Sequence, residues 1–240
     1  MRPAFDEGEI RRVDAIQPGP AQQFIEVSIF ILLILPAMVY SFFIVQKGKI
    51  SFGFEAIATI INDLTLVALI FYFVWRNRES FKQIGLYFRK AWLEVILGII
   101  IFVPFTFAMN FVEQAFQAGG LSVPSQPMTS LMAKGGVWQS VLGIVLVIIV
   151  AFSEETIFRG YLIRRFRAIT ASPVIAVLLS SFIFSLGHRY EGTAGVATVF
   201  VMGTIFAIIY LWRKSLVAPM VMHFLQDFIG IVLIPMIGGN

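Results

Sequence analysis

An all-α, polytopic transmembrane bundle of seven or eight spans is predicted by three observations. Of the 240 residues 58% are apolar and 13% charged, whereas an ordinary soluble domain is roughly a quarter charged. Phe alone supplies 25 residues and the mean hydropathy is +0.87, which leaves too little polar surface to cover a globule in water. The apolar residues also fall into runs of about 20, the length that crosses a hydrocarbon core of ~30 Å as helix.

Residues 1–23 mix Arg2, Arg11 and Arg12 with Asp6, Glu7, Glu9 and Asp14 and turn at Pro18, Gly19 and Pro20. They read as a polar cytoplasmic segment. A cleavable signal peptide is not expected, because the run that follows is long enough to span and lacks a small-residue cleavage site. Seven apolar runs come next: Phe24 to Val45, Phe54 to Trp75, Ala91 to Val112, Val137 to Phe166, Ser172 to His188, Ala194 to Trp212 and Ser215 to Ile237. A break of the last run near Gly230 would make eight. The connection from Glu113 to Gly136 holds Gly119, Gly120, Pro124 and Pro127, a composition suited to an irregular loop. Residues 24–136 thus form an amino-terminal set of helices with a long loop, and 137–240 a carboxy-terminal core.

Alternate connections differ in charge. One side carries Arg2, Arg11, Arg12, Arg76, Arg78, Lys82, Arg89, Lys90, Arg164, Arg165, Arg167, Arg213 and Lys214; the other has Lys47, Lys49, Lys134 and Arg189. Thirteen against four orients the amino terminus to the cytoplasm, in the plasma (inner) membrane if the cell is bacterial. The net charge of +4 is therefore membrane-flanking, and no nucleic-acid partner is expected. The absence of Cys removes disulfides, thiolate metal sites and a Cys nucleophile. Composition is silent on oligomeric state.

Inside the runs the informative residues are polar, because a charge at mid-bilayer costs about 2.5 to 3.5 kcal/mol even on the lenient insertion scale. In the second half these are Glu154, Glu155, Arg159, His188, His223 and Asp227, and the two histidines are the only ones in the chain. Read as helix, Glu155 and Arg159 are i and i+4 and pair. Glu154 points about 100° away and is left without that partner, a placement suited to a general base. His223 and Asp227 share a face at i and i+4, as do Phe184 and His188. At 1.5 Å per residue Glu154, His188, His223 and Asp227 lie ~20, ~24, ~14 and ~20 Å from the charged ends of their runs, so three helices bring polar groups to overlapping depths. Asn62, Asp63, Glu94 and Asn110 read as helix contacts or interfacial residues, and Ser180, Ser181 and Ser185 as small packing residues.

The series Glu154-Glu155-x-x-x-Arg159, Phe184-x-x-x-His188 and His223-x-x-x-Asp227 resembles the CAAX protease and bacteriocin-processing (CPBP) membrane family, whose best-known members are type II CAAX prenyl endopeptidases. The likeness covers roughly residues 137–238. It implies an intramembrane endopeptidase with a water-filled catalytic cavity within the helix bundle, acting on membrane-associated peptides or proteins, in which Glu154 activates water, His188 helps hold it, and His223 with Asp227 stabilises the oxyanion. Glu155 and Arg159 would support the motif helix. The last position is often Asn in the prenyl enzymes, and an ionised Asp227 can only accept a hydrogen bond. Asp227 is then protonated, or orients His223, or joins Glu154, His188 and His223 around a metal. The cofactor expectation is accordingly none, or one divalent ion such as zinc. Two other classes compete: an ion- or proton-coupled transporter, for which no inverted repeat is visible, and a non-catalytic immunity or scaffold protein.

Overall fold

The computed structural model describes residues 18–43, 51–88, 90–124, 132–134 and 136–238. Arg2, Arg11 and Arg12 of the first segment, Lys47, Lys49, Arg89 and part of the long loop, with Pro127, lie outside the described residues. Among the described residues every regular element is helical: α1 (Pro20–Phe43), α2 (Phe52–Arg76), α3 (Ala91–Ala118), α4 (Val137–Thr170), α5 (Pro173–Gly187), α6 (Gly192–Arg213) and α7 (Val217–Ile237), with short 3₁₀ turns at Phe81–Ile84 and Arg189–Glu191. Local chemistry sets the boundaries. Ser51 accepts from the Phe54 N–H and Ser172 from the Ile175 N–H, the side-chain capping that a helix start requires.

Six of these helices are long and apolar enough to cross a membrane. The seventh expected run is α5, which has 15 residues and at ~22 Å falls short of the ~30 Å hydrocarbon core. It is wedged between neighbours, with Ala176, Val177, Ser180, Ser181, Phe184 and Ser185 buried. No eighth helix forms at Gly230, because α7 continues there through a π-helical segment, Phe228–Leu233. The chain is a multi-pass integral membrane protein.

Ion pairs gather at one end of the bundle. Glu26 of α1 meets Arg76 (2.7 Å) and Arg165 (3.5 Å), and Glu79 meets Arg164 (2.9 Å) and Arg165. Arg213 at the end of α6 pairs with Glu94 at the start of α3 (2.6 Å). Burial alone would raise the Glu79 carboxyl, but the hydrogen bonds and charge of Arg165, with Arg164, outweigh it and hold the group below its ordinary value. Trp75, Trp92 and Trp212 stand exposed near this end and Trp138 near the other, the level at which indole rings sit in a bilayer. The described flanks of the long loop are pinned at the opposite end: Ser122 N–H donates to Thr193 Oγ1 (2.8 Å) and Ala133 N–H to the Ile231 carbonyl (2.9 Å).

Candidate active site

The motif helix changes pitch at its acidic residues. After Glu154 the α-helical part of α4 gives way to a π-helical segment, Glu155–Leu162, and α7 makes the same change directly after Asp227. A π turn adds a residue to the helical repeat and is frequent at functional sites. Every residue from Glu155 to Leu162 is buried. Gly160 permits this packing, since a Cβ there would lie 2.6 Å from the Ile84 carbonyl oxygen.

The expected Glu155–Arg159 pair forms (3.0 Å), with side-chain exposures of 0% and 2%. Glu155 does a second thing that helical spacing did not reveal: its Oε1 lies 2.9 Å from His223 Nδ1. A Glu155 ionised beside Arg159 accepts, so His223 Nδ1 carries the proton and the ring orientation is fixed from behind. Orienting the ring is thus the work of Glu155, and Asp227 approaches the other nitrogen, with Oδ2 3.5 Å from Nε2. Glu154, expected without a partner, has Oε2 at 3.5 Å from the same Nε2. Both of these contacts exceed ordinary hydrogen-bond length. The Glu154 and Asp227 side chains are each 22% exposed while that of His223 is 5% exposed, so two partly exposed carboxylates flank one buried imidazole, and the Glu154 Oε2 that faces it is buried without a hydrogen-bond partner among the described residues.

Phe184 ties the remaining members together. Its ring centroid is 4.7 Å from that of His188 and 6.1 Å from that of His223. The Arg159 guanidinium lies over Phe184 at 4.2 Å and over Phe206 at 5.4 Å, which compensates part of its desolvation. Gly203 leaves room for this stack: a Cβ there would stand 3.1 Å from Phe184 Cδ1 and 3.2 Å from Arg159 Nη2. His188 caps α5, and its Nδ1 lies 3.0 Å from the Phe184 carbonyl oxygen. A carbonyl only accepts, so Nδ1 bears hydrogen and a neutral His188 has its lone pair on Nε2. All six expected site residues therefore belong to one neighbourhood. At Gly187, by contrast, an added Cβ would meet nothing within 4 Å.

Asp63 of α2 was missed as a site residue. It is 6% exposed and within electrostatic reach of Glu154 and His223. The signal was available: Asp63 is the one charged residue between Ala56 and Trp75, and thirteen residues from Arg76 put it at ~20 Å, the depth obtained for Glu154 and Asp227. Tyr190 and Glu191 were missed too. The Tyr190 ring is 5.7 Å from that of His188, and Glu191 is within electrostatic reach of Asp227.

Comparison with known proteins bears on the same stretch of chain. Residues 136–229 match the family model described as type II CAAX prenyl endopeptidase Rce1-like. Over 79 residues the chain is 35% identical to the membrane-embedded CAAX protease MroQ of Staphylococcus aureus (strain USA300), which is 31% of either protein. Residues 136–229 are therefore similar to the CPBP membrane family, of which the matched type II CAAX prenyl endopeptidases are members. An uncharacterized 24.3 kDa protein of Escherichia coli is 27% identical over 129 residues, 52% of this chain and 59% of that one. The matched stretches thus span less than two thirds of these curated relatives. No solved structure matches the chain. The family-matched residues contain both π-helical segments' acidic motifs, whereas Asp63 lies outside them.

A divalent ion such as zinc is not served by the donors as they stand. Among the described residues no three His, Asp or Glu side chains are grouped to hold one, and His223 Nδ1 is taken by Glu155.

Proposed function

We propose that this protein is an intramembrane endopeptidase that hydrolyses peptide bonds in membrane-associated peptides or protein tails, with Glu154 as its general base. One observation carries the reading: a glutamate only partly buried at its side chain stands beside the outward nitrogen of an imidazole whose inward nitrogen is held by a second, charge-paired glutamate. A base and a fixed donor side by side are what acyl transfer to water requires. In the step proposed, Glu154 takes a proton from water while the water oxygen attacks the peptide carbonyl. His188, a neutral acceptor at Nε2, orients that water. As imidazolium, His223 offers Nε2–H to the oxyanion, and Asp227 offsets the charge of the ring. Glu154 then returns the proton to the amine nitrogen as the C–N bond breaks.

The family match and the MroQ likeness support protease activity. The positive-inside count supports a cytoplasmic amino terminus, which puts the ion-paired end of the bundle on the cytoplasmic side. The substrate class is set by access: the chain must reach a centre roughly 16 Å beyond the Arg165–Glu79 layer, counted as eleven helical residues. The test is a proteomic comparison of membrane fractions holding wild-type protein or Glu154→Gln. Peptides that accumulate uncut only with the variant support the reading; cleavage at the wild-type rate by folded Glu154→Gln refutes it.

A further inference from the structure

A ring held at one atom is not yet aimed. His223 Nδ1 lies 2.9 Å from Glu155 Oε1, while Glu154 and Asp227 stand at 3.5 Å from Nε2, too far for an ordinary hydrogen bond. One hydrogen bond leaves the imidazole free to tilt about it, whereas a group that donates to a reacting atom has to be held within about 10 to 20°. Packing must therefore set the tilt.

The packing comes from two separate apolar clusters that meet at His223. Phe184 of α5 belongs to the larger one, with Phe30, Ile70 and Tyr161. Phe206 of α6 belongs to another, with Phe105 of α3 and Met222, the residue before His223. The His223 ring centroid is 6.1 Å from that of Phe184 and 6.0 Å from that of Phe206, with the planes inclined at 77° and 43°. Both distances lie in the range where aromatic rings act on each other's orientation. Phe184 is part of the motif series, but Phe206 belongs to none of its three pairs and no step above uses it.

Phe206 is itself firmly placed. It is 1% exposed, and its ring lies 5.2 Å from that of Phe105 at 33°. The Arg159 guanidinium stands over it at 5.4 Å, and Arg159 in turn pairs with the Glu155 that holds Nδ1. One flat side chain thus stands against both the imidazole and the cation behind its only short hydrogen bond. Leu or Met would fill the space without presenting a plane.

We propose that Phe206 is a positioning residue that fixes the tilt of the His223 ring and so aims Nε2 at the oxyanion. This rests on the reading of His223 as the oxyanion donor. Phe206 touches no substrate; it acts through His223. Through Phe105 the brace extends to α3, which lies outside the family-matched stretch.

The two histidines are the only ones in the chain, so protein isotopically labelled at histidine alone gives NMR signals from two imidazoles, and His188→Gln assigns that of His223. Wild type in detergent is expected to show one His223 conformer with the order parameter of a rigid group, ~0.85. Phe206→Leu keeps an apolar side chain and removes the plane; it is expected to lower that value below ~0.6 and leave His188 as it was. An unchanged His223 value in folded Phe206→Leu, or an equal fall at both histidines, overturns the proposal.

Cleavage of a quenched-fluorescent peptide carrying the junction found in the membrane comparison supplies a second readout. Loss of aim acts on the transition state, so kcat should fall about tenfold or more while KM changes less than about twofold. A merely structural Phe206 would lower the folded yield and leave both the ring order and the kcat of the folded fraction at wild-type values, and that result overturns the proposal. Phe206→Met keeps the test decisive where Phe206→Leu does not fold, since its adaptable side chain fills irregular core space; the same fall in His223 order is expected, and a ring as ordered as in wild type overturns the proposal. If wild type cleaves nothing, the endopeptidase reading falls while the ring order still decides whether Phe206 holds His223.

Discussion

Replacing Glu155 by Gln separates structural from catalytic work in this site. The amide keeps the shape of the carboxylate and can still accept from His223 Nδ1, but it leaves the Arg159 charge, 2% exposed at its side chain, without its 3.0 Å partner. At an effective dielectric of 20 that contact corresponds to roughly 5 kcal/mol, and breaking a buried pair from one side costs about 3 to 5 kcal/mol. The rings of Phe184 and Phe206 over the guanidinium return about 1 to 2 kcal/mol. A net loss of about 3 kcal/mol lowers the melting temperature of a chain this size by ~10 °C, measurable by thermal denaturation in detergent. Arg159→Met should lose less, since Glu155 keeps its 2.9 Å contact with His223 Nδ1. The double variant Glu155→Gln with Arg159→Met removes both charges and should melt above Glu155→Gln alone, because the expense there lies in the unpaired Arg159 charge. Additive losses in the double variant would refute a coupled buried pair.

Gly203→Ala places a Cβ 3.2 Å from Arg159 Nη2 and 3.1 Å from Phe184 Cδ1; overpacking of this kind costs about 1 to 3 kcal/mol, and activity should fall with stability as the aromatic support of both histidines shifts. Asp227→Asn supplies a donor where an ionised carboxylate only accepts but removes the negative charge that offsets the His223 ring: a fall of about tenfold or more in kcat is expected, and retention of the wild-type rate would refute charge offset as its contribution. Glu79, held below its ordinary value by Arg165 and Arg164, contributes stability that is complete above the unfolded carboxylate range and disappears as pH falls through its folded value. Glu79→Gln should therefore flatten the acid side of a melting-temperature profile, and a profile parallel to wild type would contradict that linkage.

Much of this protein was legible before any coordinates. Run length and hydropathy are local properties, and they returned the helical class, the order of the elements and the places where apolar segments stop. The i and i+4 spacings of Glu155 with Arg159, of Phe184 with His188 and of His223 with Asp227 are local as well, and each pair is found in contact. The resemblance built on them agrees with the family model over residues 136–229. Span number was less legible, because α5 has the apolarity of a spanning helix and only 15 residues.

Contacts between helices were decided by the tertiary structure alone. Helical spacing left Glu154 without a partner, since the acceptor of its approach, His223, is 69 residues away and reaches it through the packing of α7 against α4. The π-helical turns at Glu155 and Phe228 shift the faces that later residues present, and nothing in an i, i+4 pattern announces an added residue per turn. Asp63 shows the division most plainly. Its depth follows from counting residues along one helix, but the side of α2 that meets α4 depends on how two helices are rotated about their own axes, and that angle is settled by the mutual fit of Ala56, Ile60, Leu146 and Val150.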